Sequence, residues 1–168
     1  TKFDYKDAPK RPKSLPCEVH TTISKGVKWN VIIGMLDSKP YEVFAVPYFT
    51  NEENLELVKI KQGRYDLFKD KETYSEDVTS EMNNEEEIIT RLISTSLRHG
   101  ADIKFIVEQL NKSHGDITSF SKAIARVIKK YIPDGTKSTV TCQDCGSDQV
   151  IFQEGCQSCQ SCGSSKCG

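Results

Sequence analysis

"CEVHTTISKGVKWNVIIGML", Cys17 to Leu36, is the stretch that decides the fold. "CEVHTTI" and "VKWNVIIGML" are rich in β-branched and aromatic residues, and Ser24-Lys25-Gly26 between them has turn chemistry. The two runs predict a β-hairpin, with Val19, Thr21 and Ile23 alternating along its first arm. Working forward, "DSKP" (37–40) makes the next turn and "YEVFAVPY" (41–48) a third strand. "LELVKIK" (55–61), Gln62-Gly63 and "RYDLFK" (64–69) predict a second hairpin. The expected product is a small antiparallel sheet. Trp29, Phe44 and Tyr48 are its packing residues, because strand aromatics are usually core.

Working outward, "TKFDYKDAPKRPKSLP" (1–16) carries three prolines and many charges, and reads as an extended entry linker. Residues 70–86 are acidic and weakly patterned, a surface loop leading into helices. Asn83 or Asn84 is placed to cap the first helix, with Glu85, Glu86 and Glu87 near its positive end. Ile88, Leu92, Ile93 and Leu97 form its apolar stripe, and Gly100 ends it. The second helix has Ile103, Ile106, Val107 and Leu110 on one face. The third carries Ala123, Ile124, Val127, Ile128 and Tyr131 and stops at Pro133-Asp134-Gly135. The expected fold class is α+β: a small antiparallel sheet packed with about three helices over residues 17–135, followed by a C-terminal zinc ribbon over 136–168.

The bulk numbers fit this plan. A 168-residue chain holds one medium domain and a small appendage. Its formal net charge of -1 gives no whole-chain attraction for nucleic acid or anionic membrane. No apolar run approaches a membrane span and no signal-peptide pattern opens the chain. The expected setting is therefore a reducing cytoplasm, where clustered cysteines bind metal or do redox chemistry. A start at Thr1 leads to the expectation that the chain is a piece of something larger. Residues 17–135 contain neither a phosphate-cradling glycine loop nor a nucleophile elbow, and His20, His99 and His114 are scattered. His99, before a helix-ending glycine, suits the helix's negative end. Arg126, Lys129 and Lys130 read as a solvated helix face.

Six of the seven cysteines lie in "CQDCGSDQVIFQEGCQSCQSCGSSKCG" (142–168). Two Cys-x-x-Cys knuckles around a short hairpin, "QVIFQ", match the spacing of a zinc ribbon, whose four thiolates suit a tetrahedral Zn2+. Cys142, Cys145 and Cys159 are ligands in any such ribbon, and the fourth is Cys162 or Cys156. "CQDCG" and "CQSCG" match each other. Gly146 and Gly163 tolerate the positive φ that a knuckle turn favours, and this argues for Cys162. Cys156 and Cys167 are then left over, roughly opposite each other on the strands flanking the knuckle. The competing partition keeps Cys156 on the metal and pairs Cys162 with Cys167. Both leave two thiols over, Cys167 among them. Gly163, Ser164, Ser165 and Gly168 give Cys167 reach, and Lys166 beside it favours the thiolate. Such an end can act as a thiol–disulfide shuttle.

These blocks resemble the C-terminal region of adenosylcobalamin-dependent (class II) ribonucleotide reductases, the TSCPD domain followed by a zinc ribbon. The resemblance rests on "KRPKSLPCEVH", "KPYEVFA", "ITRLISTSLRHGADIKFIVEQL", "SFSKAIARVIKKYIPDGTK" and the cysteine tail, in order, and covers nearly the whole chain. Gln143 and Gln160 depart from the family, where proline is frequent, as does Ser164, where an aromatic is common. The resemblance implies a part in converting ribonucleotides to deoxyribonucleotides. Adenosylcobalamin would generate a thiyl radical in a separate barrel domain, the chain's first partner. A C-terminal cysteine pair would reduce the barrel's disulfide and be re-reduced by thioredoxin or glutaredoxin. The family's tail pair has four intervening residues, which fits Cys162 and Cys167. Substrate, whether diphosphate or triphosphate, and allosteric sites would lie outside this chain, which alone should not turn over nucleotides. A different class of function is a zinc-ribbon module that binds nucleic acid or protein without redox chemistry. Against nucleic acid stands the ribbon's poverty in basic and aromatic residues, with Lys166 alone after Cys142.

Overall fold

Lys25 and Gly26, at φ of 48° and 76°, close the first hairpin as a two-residue turn with Ser24 opposite Val27. The structure is a computed structural model and describes residues 6–167. The first five residues of the expected linker, and Gly168 with its expected part in the tail's reach, lie outside the described residues. The architecture is α+β. Strands β1 (Ser14–Ser24), β2 (Val27–Leu36), β3 (Lys39–Pro47), β4 (Leu55–Lys61), β5 (Arg64–Lys69) and β6 (Glu72–Ser75) form one antiparallel sheet in the order β3-β2-β1-β4-β5-β6. Helices α1 (Asn84–Arg98), α2 (Ile103–Lys112) and α3 (Phe120–Ile128) follow, and Lys129–Tyr131 continues α3 as a 3-10 turn. Strands β7 (Val150–Gln153), β8 (Cys156–Cys159) and β9 (Ser165–Lys166) make a second sheet. None of the described helices is long and apolar enough to cross a membrane.

β1 joins the two halves of the large sheet: Ser14–Cys17 pairs with β4 and Cys17–Ser24 with β2. Both faces of the central strands are covered, so β2 is buried without a break from Trp29 to Gly34. On one face Trp29, Val31, Ile33, Val43 and Ala45 meet Ile93, Val107, Ile124, Val127 and Ile128 of the helices. On the other, Cys17, Ile32 and Val46 meet Leu55, Leu57 and Leu67, with Val78 from the loop after β6. Trp29 is core and packs edge-on against Phe120 at 5.4 Å. Phe44 packs against the second core. Tyr48, expected in the core, is instead partly exposed, with the Lys28 ammonium 3.8 Å from its ring centre.

Two alternation readings shift for one physical reason, the demand of backbone groups for partners. On β1 the helix-facing residues are Thr22 and Ser24, while Thr21 and Ile23 are exposed and Val19 faces the second core. The Thr22 and Ser24 hydroxyls donate to the carbonyls of Ala123 and Thr118, tying β1 to α3 and the loop before it. On α1, Ile88 and Leu92 of the expected stripe are 50% and 64% exposed. The inward face instead carries Thr90, Ile93 and Ser94. β3 is an edge strand, and the Ser94 hydroxyl accepts the Val43 N–H at 2.9 Å, so a polar face covers a polar edge. Asn83 occupies the cap position of α1 but makes no side-chain capping bond. Gly100, at φ 82°, ends the helix as expected. The expected loop over 70–86 contains β6, whose Thr73 and Ser75 pair with β5.

The proline-rich lead-in also differs from a free linker. Tyr41 Oη donates to the Pro9 carbonyl at 2.7 Å, and Arg11 Nη2 reaches Glu42 Oε1 at 2.7 Å. Glu42 is fully buried and Arg11 is 9% exposed, while Arg98 approaches the other carboxylate oxygen at 3.5 Å. Gly34 lies opposite Glu42, and a Cβ there would meet Glu42 Cγ at 2.7 Å, so glycine makes room for the carboxylate. Replacing Arg11 by Met should cost about 3 kcal/mol, because a buried carboxylate loses its two-pronged partner and keeps only Arg98. Urea unfolding of the described chain checks this. Lys10→Ala, on the exposed side, should leave the midpoint unchanged, and equal midpoints for Arg11→Met and wild type would return residues 6–13 to the status of a linker.

Candidate metal centre and cysteine pair

The two cysteine knuckles are built alike. Gly146 N–H donates to the Cys142 carbonyl and Gly163 N–H to the Cys159 carbonyl, at 2.8 and 3.0 Å. Cys142 and Cys159 in turn donate their N–H groups to Ser147 and Ser164, each at 2.8 Å. Both turns need a left-handed residue after the second cysteine, and Gly146 and Gly163 supply it at φ of 72° and 76°. In each knuckle the first cysteine is buried and the second exposed. The Ser147 and Ser161 hydroxyls meet at 2.7 Å across the seam between them.

This construction brings the sulfurs of Cys142, Cys145, Cys159 and Cys162 within 4.8 Å of one another. Cys142 and Cys162 are 3.7 Å apart and Cys145 and Cys159 3.6 Å. A tetrahedral site with zinc–sulfur bonds of about 2.3 Å has sulfurs about 3.8 Å apart, so the donor set and its spacing fit a metal such as zinc. The backbone N–H groups of Cys162 and Ser161 point at Cys159 and lower its thiol pKa, whereas Cys145 and Cys162 in the same cluster are raised.

The other two tail cysteines lie elsewhere. In the ribbon register Gln157 faces Lys166 and Ser158 faces Ser165, which sets Cys156 opposite Cys167. Their Cα atoms are 4.3 Å apart and a disulfide joins them. Cys162, the alternative partner of Cys167, is a free thiol in the four-sulfur cluster. Cys17 is remote from both groups: burial first, then the charges of Glu42, Glu56 and Glu18, push its thiol up to about 12.

The ribbon is seated on the helical face. Phe152, 3% exposed, enters the core formed by Val107, Val127, Ile128 and Ile132. Its N–H donates to Thr136 and its carbonyl accepts from Gly135, and Lys137 bridges to Ile151, so residues 135–138 run as a packed edge rather than a loose tether. Glu154 and Gly155 turn the chain into β8, and Gly155 packs so closely on the 3-10 turn that a Cβ there would lie 3.4 Å from the Lys129 carbonyl oxygen. The Lys129 ammonium donates to the Cys167 carbonyl. Lys166, expected to act on Cys167, donates instead to Gln143.

Phe152 is a site residue that the sequence reading did not single out, and Lys129 is one that it placed on a solvated face. Phe152 shows a signal in retrospect, a large apolar side chain two residues after Val150 on a strand too short for its own core. Lys129 shows none, since its position reads as a solvated helix face, and Arg126, read the same way, bonds the carbonyls of Ile117 and Ile23. Phe152→Ala should cost about 3–5 kcal/mol and raise amide exchange through β7. A loss below about 1 kcal/mol, with β7 still protected, would mean that the ribbon holds itself without the helical core.

Residues 15–133 match the family described as NrdJ homologue C-terminal domain. The match covers the sheet and helices and stops short of the cysteine segment. No curated protein and no solved structure matches the chain. With well over half its length matched, the chain belongs to the family of NrdJ homologue C-terminal domains, which ties it to ribonucleotide reductase.

Proposed function

We propose that this chain is the C-terminal part of an adenosylcobalamin-dependent ribonucleotide reductase and delivers electrons to it through the Cys156–Cys167 pair. In this reading residues 17–135 are the docking domain and 136–168 a zinc ribbon with a redox-active end, working in the cytoplasm. The observation that carries the proposal is the division of the six tail cysteines in a chain of this family: four sulfurs in one metal-sized cluster, and two bonded to each other outside it. Zn2+ held by Cys142, Cys145, Cys159 and Cys162 would keep the ribbon folded without redox change. The alternative ligand, Cys156, and the alternative pair, Cys162 with Cys167, fit this division less well. Adenosylcobalamin would be held by the catalytic barrel, together with the substrate.

The exchange balances as two thiol–disulfide steps. A dithiol protein such as thioredoxin or glutaredoxin reduces Cys156–Cys167, leaving two thiols here and a disulfide on the donor. The Cys167 thiolate then attacks one sulfur of the barrel's disulfide, and the other leaves with the electron pair and takes a proton. Cys156, losing its proton, attacks the Cys167 sulfur of this mixed bond. The barrel is left with two thiols and the Cys156–Cys167 bond is restored.

Two measurements test the proposal. Metal analysis and alkylation of the reduced chain should find one zinc and two fast-reacting thiols, mapped to Cys156 and Cys167, with buried Cys17 silent. Fast alkylation at Cys162 with Cys156 protected would favour the other partition. In the whole reductase, Cys167→Ser should spare a single turnover and abolish thioredoxin-supported multiple turnover. Sustained activity in that variant would end the shuttle reading.

A further inference from the structure

Two cationic side chains line one cavity with Cys167, and they are differently committed. Lys166, next to Cys167 in sequence, spends its ammonium on the side-chain oxygen of Gln143. Lys129, distant in sequence, packs its backbone and Cγ on Gly155, the neighbour of Cys156, and donates its ammonium to the carbonyl of Cys167. A cavity of about 60 Å³ opens at this point, with Lys129, Gly155, Gln157 and Cys167 in its wall.

We propose that Lys129 is a positioning residue for this cysteine pair. Its ammonium holds Cys167 in register opposite Cys156 and stabilises the Cys167 thiolate once the bond is open. The inference rests on the reading of the pair as a redox couple. The charged groups that face Lys129 are Arg126 on α3, Lys130 in the same turn, Glu108 on α2 and Lys166 on β9. Glu108, which accepts from the Thr139 hydroxyl at 2.8 Å, is the one carboxylate among these groups, while Arg126 and Lys130 repel the ammonium. Burial, followed by the positive charges of Arg126 and Lys130, holds the Lys129 pKa below its ordinary value, so the ammonium gains from any negative charge brought near it. A thiolate on Cys167, whose carbonyl the ammonium already holds, would supply that charge, and the same attraction would favour the form of Cys167 that attacks a disulfide. In the forward step the thiolate sulfur forms the new S–S bond, the partner's second sulfur leaves with the electron pair, and Lys129 neither gains nor loses a proton.

The test reads Cys167 itself. In the zinc-loaded, reduced chain, the iodoacetamide rate at Cys167 is followed against pH by peptide mapping, in wild type and in Lys129→Gln, Lys129→Arg and Lys166→Gln. Lys129→Gln should move the midpoint up by about half to one pH unit and slow alkylation near neutrality about three- to tenfold. Lys129→Arg should stay close to wild type, and Lys166→Gln should shift the midpoint much less than Lys129→Gln. If Lys129→Gln loosens the ribbon, seen as zinc loss or an altered near-ultraviolet spectrum, Lys129→Met carries the comparison, since it keeps the aliphatic stem against Gly155. A profile for the uncharged variant that superimposes on wild type overturns the inference, as does an equal shift in Lys166→Gln. These rates need no reductase turnover, so their failure is distinguishable from failure of the shuttle reading itself.

Discussion

The seat of Phe152 in the helical core is the contact on which the rest of the cysteine-bearing end depends. The second sheet has strands of four, four and two residues, too little chain to bury a core of its own. It is held from both ends instead. Residues two apart on a strand share a face, so Val150 and Phe152 point the same way, Val150 against Cys142 and Cys159, Phe152 into the helices. One short strand thereby couples the metal-sized cluster to the body of the protein.

That seat is accurate because its own support is traceable back to the sheet. Tyr131, at the end of the 3-10 turn, donates to Glu18 at 2.9 Å and meets His20 edge-on, and both partners lie on β1. The ring nitrogen of His20 facing Tyr131 is on a side chain whose pKa is lowered, by burial first and then by Lys130, which favours the neutral ring in this contact. β1 is also the strand shared by both halves of the large sheet. A line of direct contacts therefore runs from β1 through the 3-10 turn to Gly155, and so to Cys156 and its bond with Cys167. Any purely flexible-tail account of Cys167 has to reckon with this anchoring in the joined state.

Much of this was legible in the sequence, where the signal is local. The two hairpins, the three helices and the left-handed glycines after each knuckle follow from turn chemistry and periodicity, which need only neighbouring residues. What escaped is long-range polar chemistry. Nothing near Glu42 marks it as buried, because its partners Arg11 and Arg98 are 31 and 56 residues away. Ser94 looks like a surface residue of α1 until an edge strand with an unpaired N–H lies against it. The exposed Ile88 and Leu92 then look like core for the same reason, since hydropathy cannot register that this face meets solvent while a hydroxyl faces the sheet. Lys129 belongs to the same class: its role is set by a contact 38 residues along the chain.

The proposed partition of the six tail cysteines accords with strand geometry. Cys156 and Cys159 both lie in β8, three residues apart, and side chains at odd spacing on a strand point to opposite faces. A cluster that takes Cys159 from one face of β8 leaves Cys156 on the other, where it bonds Cys167. Cys162 follows Cys159 by a Cys-x-x-Cys turn, which reverses the chain and brings both sulfurs to the same side. The same reversal starts β9, and its register with β8 carries Cys167 back opposite Cys156. The ribbon thus keeps its two kinds of sulfur on separate faces. In the proposed exchange, that separation lets the Cys156–Cys167 bond open and close without drawing a ligand from the metal, so the turn that fixes Cys162 in the cluster also keeps the scaffold intact while the pair changes redox state.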